Sequence, residues 1–508
     1  VLRSRAHAWL PVALAAALQW LVIATASFLP FVDLPQHVAQ AQLLLHMRDP
    51  AVASLYEAPI VPQVNVLGLL ALAPALAGLP EAAAVRTVLA LYVAGLAVAL
   101  YRLTRALHTS AWTAAAALLF TIQFNLWYGF VSFCFGLPIL VLMIARWATP
   151  DPAPAGAKAS RREIAIEALL WWLLLLAHVL LFAFALAAFA LWIGWGPRRS
   201  RRWRRGLATA PAFAWLLAFV IHSRAAMAEK VPPGGGVEAF WHGPRAKLGE
   251  WGRSLLVASQ PGLVEWIVLG TAAIGVALCL ALPSRRDDGA TRTRRWLLAL
   301  GALAVVAYIA LPYSIYERER VTYGLFVLYP RFAVLAPLFL LPALSAPASH
   351  RVRRGLVIAT AAAHIALAAH WNRVLSQVGH EAAPIDDAIA ALEPGRILKS
   401  LVLTPFPAAL RYDAFLHVAS YYQARKLGES DQSFAALLPS PVHYRDPRRP
   451  YLSLQDEHLR PDDFDANRLR LYDYLLLYRR GGTATVGLPT VFARGDWRIE
   501  AVRVQAPR

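Results

Sequence analysis

The residues best placed to do chemistry lie in Phe31-Val32-Asp33-Leu34-Pro35-Gln36-His37, directly after the first long apolar stretch. A helix-like run begins at Gln36 and extends to Met47. In a helix Asp33 and His37, four apart, project from one face about one turn apart. A carboxylate beside an imidazole at a membrane surface can take a proton from a hydroxyl. The same residues also read as a helix start, with Asp33 as N-cap, Gln36 as its capping-box partner and Pro35 in the first turn. A capping carboxylate has a lowered pKa and is a weaker base. The spacing alone leaves both readings open.

The composition says what must hold this segment in place. Of 508 residues 58% are apolar and 16% charged, and there are 17 tryptophans. Mean hydropathy is +0.47. A water-soluble chain could not hide that much apolar surface, so the expected class is an α-helical polytopic membrane protein. The net charge of +19 collects in arginine clusters between apolar spans, where it sets topology and meets anionic headgroups. No zinc-finger spacing, RNA-binding aromatic pattern or basic helix accompanies it, which argues against nucleic acid as a partner. Cys134 and Cys279 both sit in apolar runs and give neither a disulfide framework nor a metal spacing. No cofactor is indicated, and a divalent metal stays open.

The apolar runs predict about eleven crossings. The first, 9–28, reads as a retained helix, and Arg3 and Arg5 before it put the N-terminus in the cytoplasm. Residues 29–65 form a long outer loop, and 64–79 is expected to lie along the surface as an interfacial helix. Crossings follow near 84–101 and 112–124, then a fourth span runs to Trp147, with the turn Asn125-Leu126-Trp127-Tyr128-Gly129 outside. The block 164–195 would measure roughly 48 Å as one helix, against a bilayer core of about 30 Å. A hairpin with His178 near its outer tip resolves this, because the six arginines of 198–205 mark the inside again. The remaining spans are near 207–222, 262–282, 296–312, 326–345 and 355–371.

Two further outer loops carry candidates. Residues 223–261 include Phe240-Trp241-His242 and a possible amphipathic helix, 245–257. Residues 313–325 hold the cluster Glu317, Arg318, Glu319 and Arg320, and Arg331 stands at the mouth of the next apolar span. Arg331 fits an anion ligand and equally an arginine that snorkels to the interface. The charge cluster also fits a solvated loop, His178 a structural hydrogen-bonder, and Glu57 a solvated or an additional acid. From 372 to 508 the apolar runs shorten to strand length, at 397–403, 474–478, 491–493 and 497–504, with helical candidates at 385–392 and 415–426. That is a small α/β domain, following a transmembrane domain of residues 1–371. It shows no phosphate loop, nucleophile elbow or metal motif.

This layout resembles the GT-C superfamily of membrane glycosyltransferases. An acid in the first outer loop, a surface helix before the second crossing, a mid-chain hairpin and a late arginine carry the resemblance, over roughly residues 1–370. It is similar to a bacterial GT-C-like group with a Phe/Tyr-x-Asp-x-Pro-x-His first loop, here Phe31 to His37. The resemblance implies a polyprenyl-phosphate-linked sugar as donor and a lipid, glycan or protein acceptor, in a bacterial inner membrane with the C-terminal domain outside. It implies Asp33 as general base and Arg331 on the lipid phosphate, with Arg318 or Arg320 as competitors. His37, Glu57, Asn125, His178 and Glu317 are the other candidate substrate contacts. One departure stands out: many relatives carry a second acid where this chain has Asn125 to Gly129. Inversion at the anomeric carbon is expected. A transporter would instead show internal repeats and ionisable residues within spans, and a non-catalytic scaffold would leave Asp33 dispensable.

Overall fold

A computed structural model describes residues 9–59, 61–149, 160–194, 205–230, 237–283, 291–317, 320–436, 440–446, 466–482 and 485–502. The protein is mostly helical, with a small sheet domain near the C-terminus. Among the described residues, six helices are long and apolar enough to cross a membrane: Glu81–Ala106, Val131–Ala148, Leu207–Arg224, Leu263–Ala281, Arg292–Ala310 and His350–Ala390. Their outer faces show what surrounds them. Leu217, Ile221, Leu263, Ile274 and Leu280 all stand exposed, an apolar surface that belongs against lipid rather than water. The chain is a membrane protein.

The other five expected crossings are shorter apolar segments. Leu10–Thr25 has 16 residues, Ala111–Leu118 has 8, and Tyr329–Phe332 is a 3₁₀ turn leading into Leu335–Ala343. Arg161–Ala177 and Val179–Gly194 are separated by His178 alone, whose backbone is extended. The chain reverses there. Trp171 packs on both Phe182 and Phe189, and Arg205 approaches Glu163 at the far end. The expected hairpin is therefore present, with its bend at His178. Residues 198–204 and Arg318 lie outside the described residues.

Leu67–Gly78 forms the expected short helix before the second crossing. Its Gly68 lies so close to Ser132 that a Cβ would sit 2.9 Å from the serine's backbone nitrogen, which is why a glycine stands there. The segment expected as a charged loop at 313–325 is instead a hairpin. Ser314–Glu317 pairs antiparallel with Val237–Phe240 on one side and with Arg320–Leu325 on the other. Alternating Tyr, Ile and Val in this stretch suit a strand, and the charges hid that pattern.

The small domain contains a five-stranded sheet in the order Glu429–Ser430, Ile397–Val402, Tyr474–Tyr478, Trp497–Ala501, Thr490–Arg494. The first three strands are parallel and the last two antiparallel to their neighbours. Helix His350–Ala382 runs without a break through residue 371, so the change of composition there falls inside an element. One apolar core continues from Val22 and Phe31 through Trp127 and Trp371 to Phe415 and Trp497. The domain is seated on the first loop. Tyr56–Glu57 pairs with His443–Tyr444, Phe28 meets Phe415 and Tyr421, and Arg425 is paired with Glu81.

Candidate active site

Asp33 immediately precedes helix Leu34–Leu45, in the N-cap position, yet its side chain makes no capping bond. Gln36 is not its capping partner either. It is fully buried, and its Oε1 accepts the backbone N–H of Phe434 at 2.9 Å. The carboxylate is free of helix duty. What fixes it is the turn after the third apolar segment: Val32 N–H donates to Trp127 O at 2.9 Å and Asp33 N–H to Tyr128 O at 3.0 Å. Gly129 closes this turn with φ +74°, and a Cβ there would stand 2.6 Å from Asp33 N and 2.7 Å from Leu34 N. Gly129→Ala therefore combines a left-handed backbone that costs about 1–2 kcal/mol with a clash against the residue that bears the carboxylate. It should lower both the thermal midpoint and any Asp33-dependent turnover, the latter at least about tenfold. Parallel melting and activity assays of the purified variant check this.

The Asp33 side chain is 16% exposed. Burial pushes its pKa up to about 7, opposed by the nearby positive charge of Arg331. Near neutral pH it is thus divided between acid and base, the poise that suits proton transfer. His37 lies one turn on. Burial pushes it down to about 4, against a bond to the Gly129 backbone, and its ring meets Phe434 edge-on. It braces the turn as a neutral side chain.

Arg331 sits where the late segment breaks into a 3₁₀ turn. Its Nε–H donates to Val327 O at 3.1 Å, Nη2 to Phe326 O at 3.2 Å and Nη1 to His178 Nε2 at 2.8 Å. The guanidinium lies 3.7 Å from the centre of the Phe130 ring. Val327 adopts φ +55°, an uncommon state for a β-branched residue, and thereby turns its carbonyl toward the arginine. A guanidinium has five N–H donors. Three are engaged, so one on each terminal nitrogen has no partner among the described residues, which suits bidentate capture of an anion.

Four elements that are far apart in sequence thus converge: the first loop, the 123–130 turn, the hairpin bend and the late arginine. Asn125 supports the arginine by donating to Arg331 O at 3.4 Å and to Gln123 Oε1 at 2.8 Å. His178 holds the guanidinium edge. Glu57 is not brought here. It lies in the strand paired with His443–Tyr444 and faces Arg445 at 3.9 Å. The backbones of Glu317 and Arg320 pair with each other in the outer hairpin.

Two residues of the tail were missed in the sequence. His417 Nε2 stands 3.4 Å from Asp33 Oδ1. Asp413, raised by burial to about 6, bears electrostatically on Tyr128 and Tyr313. The spacing Asp413-x-x-x-His417 repeats that of Asp33-x-x-x-His37, which was the available signal. A cavity of about 510 Å³ opens beside this group, walled by Phe124, Tyr128, Tyr313, Tyr412, Arg253 and Arg411 among others. Neither Asp33 nor Arg331 lines it. They adjoin it through Tyr128, whose carbonyl holds Asp33, and Pro330, the neighbour of Arg331. Among the described residues no three His, Cys, Asp or Glu side chains cluster as a metal site. Comparison of the chain with protein-family models, curated proteins and solved structures gave no match.

Proposed function

We propose that the protein is a membrane glycosyltransferase that moves a sugar from a polyprenyl-phosphate donor to an acceptor hydroxyl, with inversion. The observation that carries the reading is the approach of the buried, uncapped carboxylate of Asp33 to the positive charge of Arg331, whose terminal nitrogens each keep an N–H with no partner among the described residues. In this reading Arg331 holds the lipid phosphate, and the acceptor enters through the aromatic cavity. Asp33 takes the hydroxyl proton as the oxygen attacks the anomeric carbon. The bond from that carbon to the phosphate oxygen breaks, and the polyprenyl phosphate leaves with the electron pair, its charge held by the guanidinium. Tyr128, Tyr313 and Tyr412 offer ring faces and hydroxyls to a polyhydroxylated acceptor. Asp413 supplies, from the tail, an acid that the second outer turn lacks.

The test is transfer of labelled sugar from polyprenyl-phosphate donors by the purified protein in lipid vesicles. Absence of transfer with every donor and acceptor class would retire the reading in favour of a scaffold. The reading also carries an eleven-crossing arrangement in a bacterial inner membrane, with Asp33 and the tail outside. Single cysteines at Ser54 and Ser453 should then both react with an impermeant maleimide in intact spheroplasts, and one at Arg202 should not. Opposite sidedness of Ser54 and Ser453 would overturn that arrangement.

A further inference from the structure

His417 comes from the tail and touches the carboxylate of the first loop, and the mechanism above does not use it. Its Nε2 faces Asp33 Oδ1, and its Nδ1 lies 3.4 Å from Gln36 Nε2. Gln36 determines which ring nitrogen bears the hydrogen. The Phe434 N–H donates to Gln36 Oε1, and Gln36 Nε2 donates to the Gln432 carbonyl. Those two backbone partners permit one orientation of the amide, with its second N–H toward His417. Nδ1 must then accept, so the neutral ring carries its hydrogen on Nε2, pointing at Asp33. The ring is buried and stands edge-on to Phe434.

We propose that His417 is a positioning residue for Asp33. Its Nε2–H, oriented by Gln36, holds one carboxylate oxygen and leaves the other for the acceptor hydroxyl. This rests on the reading of Asp33 as the base. At 3.4 Å the contact is longer than a finished hydrogen bond, as is common at catalytic sites before substrate tightens them. No proton leaves His417: the acceptor proton goes to Asp33, and the ring N–H favours the charged carboxylate that must receive it. Among the described residues, the charge of Arg331 from the late segment bears on Asp33 and His417 from the tail faces its carboxylate, while His37 follows one turn on in the same helix.

Dicyclohexylcarbodiimide modifies the protonated form of shielded carboxyls, so its labelling of Asp33 reads ionisation with no substrate present. The full-length protein is labelled across a pH series, and the Asp33 peptide is quantified by mass spectrometry. The wild-type midpoint is expected near pH 7. His417→Phe keeps a ring against Phe434 but has no N–H, and should raise the midpoint by about one pH unit. His417→Gln places an amide N–H near the lost Nε2–H and should restore the wild-type midpoint. A merely structural histidine would shift both variants or neither. An unchanged midpoint in His417→Phe, or an equal shift in both, overturns the proposal. If His417→Phe does not fold, Gln36→Leu, which releases the ring, must raise the midpoint; no shift there overturns it as well. Absence of sugar transfer in the wild type would end the glycosyltransferase reading and leave these midpoints standing.

Discussion

Asp33→Asn is expected to abolish most sugar transfer while making the protein more stable at neutral and alkaline pH. Both effects come from the same burial. In the proposed reaction the carboxylate is the proton acceptor, and losing a general base lowers turnover by about a hundredfold or more. Its pKa stands near 7 in the folded protein against an ordinary 3.8, and the direction of that shift sets the stability effect. Well below about pH 4 the group is protonated both folded and unfolded, so it carries no penalty. As pH rises toward 7 the unfolded chain releases the proton and the folded one keeps it, so folding becomes less favourable. Above pH 7 the full cost applies, at most roughly 4 kcal/mol for three pKa units. Asparagine has no such cost, and the absence of a capping bond means no cap is lost. The difference in thermal midpoint between variant and wild type should therefore grow between pH 4 and 7 and then level off. Wild-type turnover should climb as pH passes through about 7. Equal transfer by the variant, or a midpoint difference that ignores pH, would remove Asp33 from its assigned role.

Arg331→Lys should lower kcat/KM for the polyprenyl-phosphate donor by about 10²–10³, the usual scale for losing a preorganised charge partner of a leaving group. Lysine keeps the charge but cannot bond His178, Val327 and Phe326 together and still present two parallel N–H groups. The donor KM and kcat should both suffer, because in the proposed reaction the same fork holds the phosphate before and during bond breaking. A drop confined to stability, with kinetics intact, would make Arg331 a structural strut. His178→Phe should give a smaller kinetic loss in the same direction, since the guanidinium would lose one of its three anchors. Steady-state kinetics on the three proteins at saturating acceptor separates these cases.

Much of the helical framework was legible because long apolar runs and arginine clusters announce themselves one residue at a time. The hairpin bend at His178 followed from a run too long for a bilayer and from the arginines after it. Asp33, His178 and Arg331 were legible as well, being polar residues at the ends of apolar runs. Less legible were the places where helices stop early. Ala111–Leu118, the break at His178 and the 3₁₀ turn at Tyr329–Phe332 are short because the chain gives up regular structure to bring polar groups together. Irregular backbone of that kind is tolerated where protein, not lipid, satisfies it. His417 and Asp413 carried a spacing signal, but their place beside the first loop was hidden for another reason. Nothing in the tail's composition says that it is seated on the first loop, since that contact depends on partners such as Gln36 and Gln432, nearly 400 residues apart.

That separation bears on how the protein is made. The first loop emerges from the ribosome early, with Asp33 and Gln36 already in place, but the residues that orient them arrive 381 positions later. Chains fold largely in the order of synthesis, and contacts of long range form last. The membrane helices can therefore insert and pack while the carboxylate is still unguided, and the tail docks onto a finished bundle. A ribosome that stalls after the last long helix would leave a well-inserted but silent protein. On the proposed function, competence for chemistry would arrive as the closing event of biosynthesis.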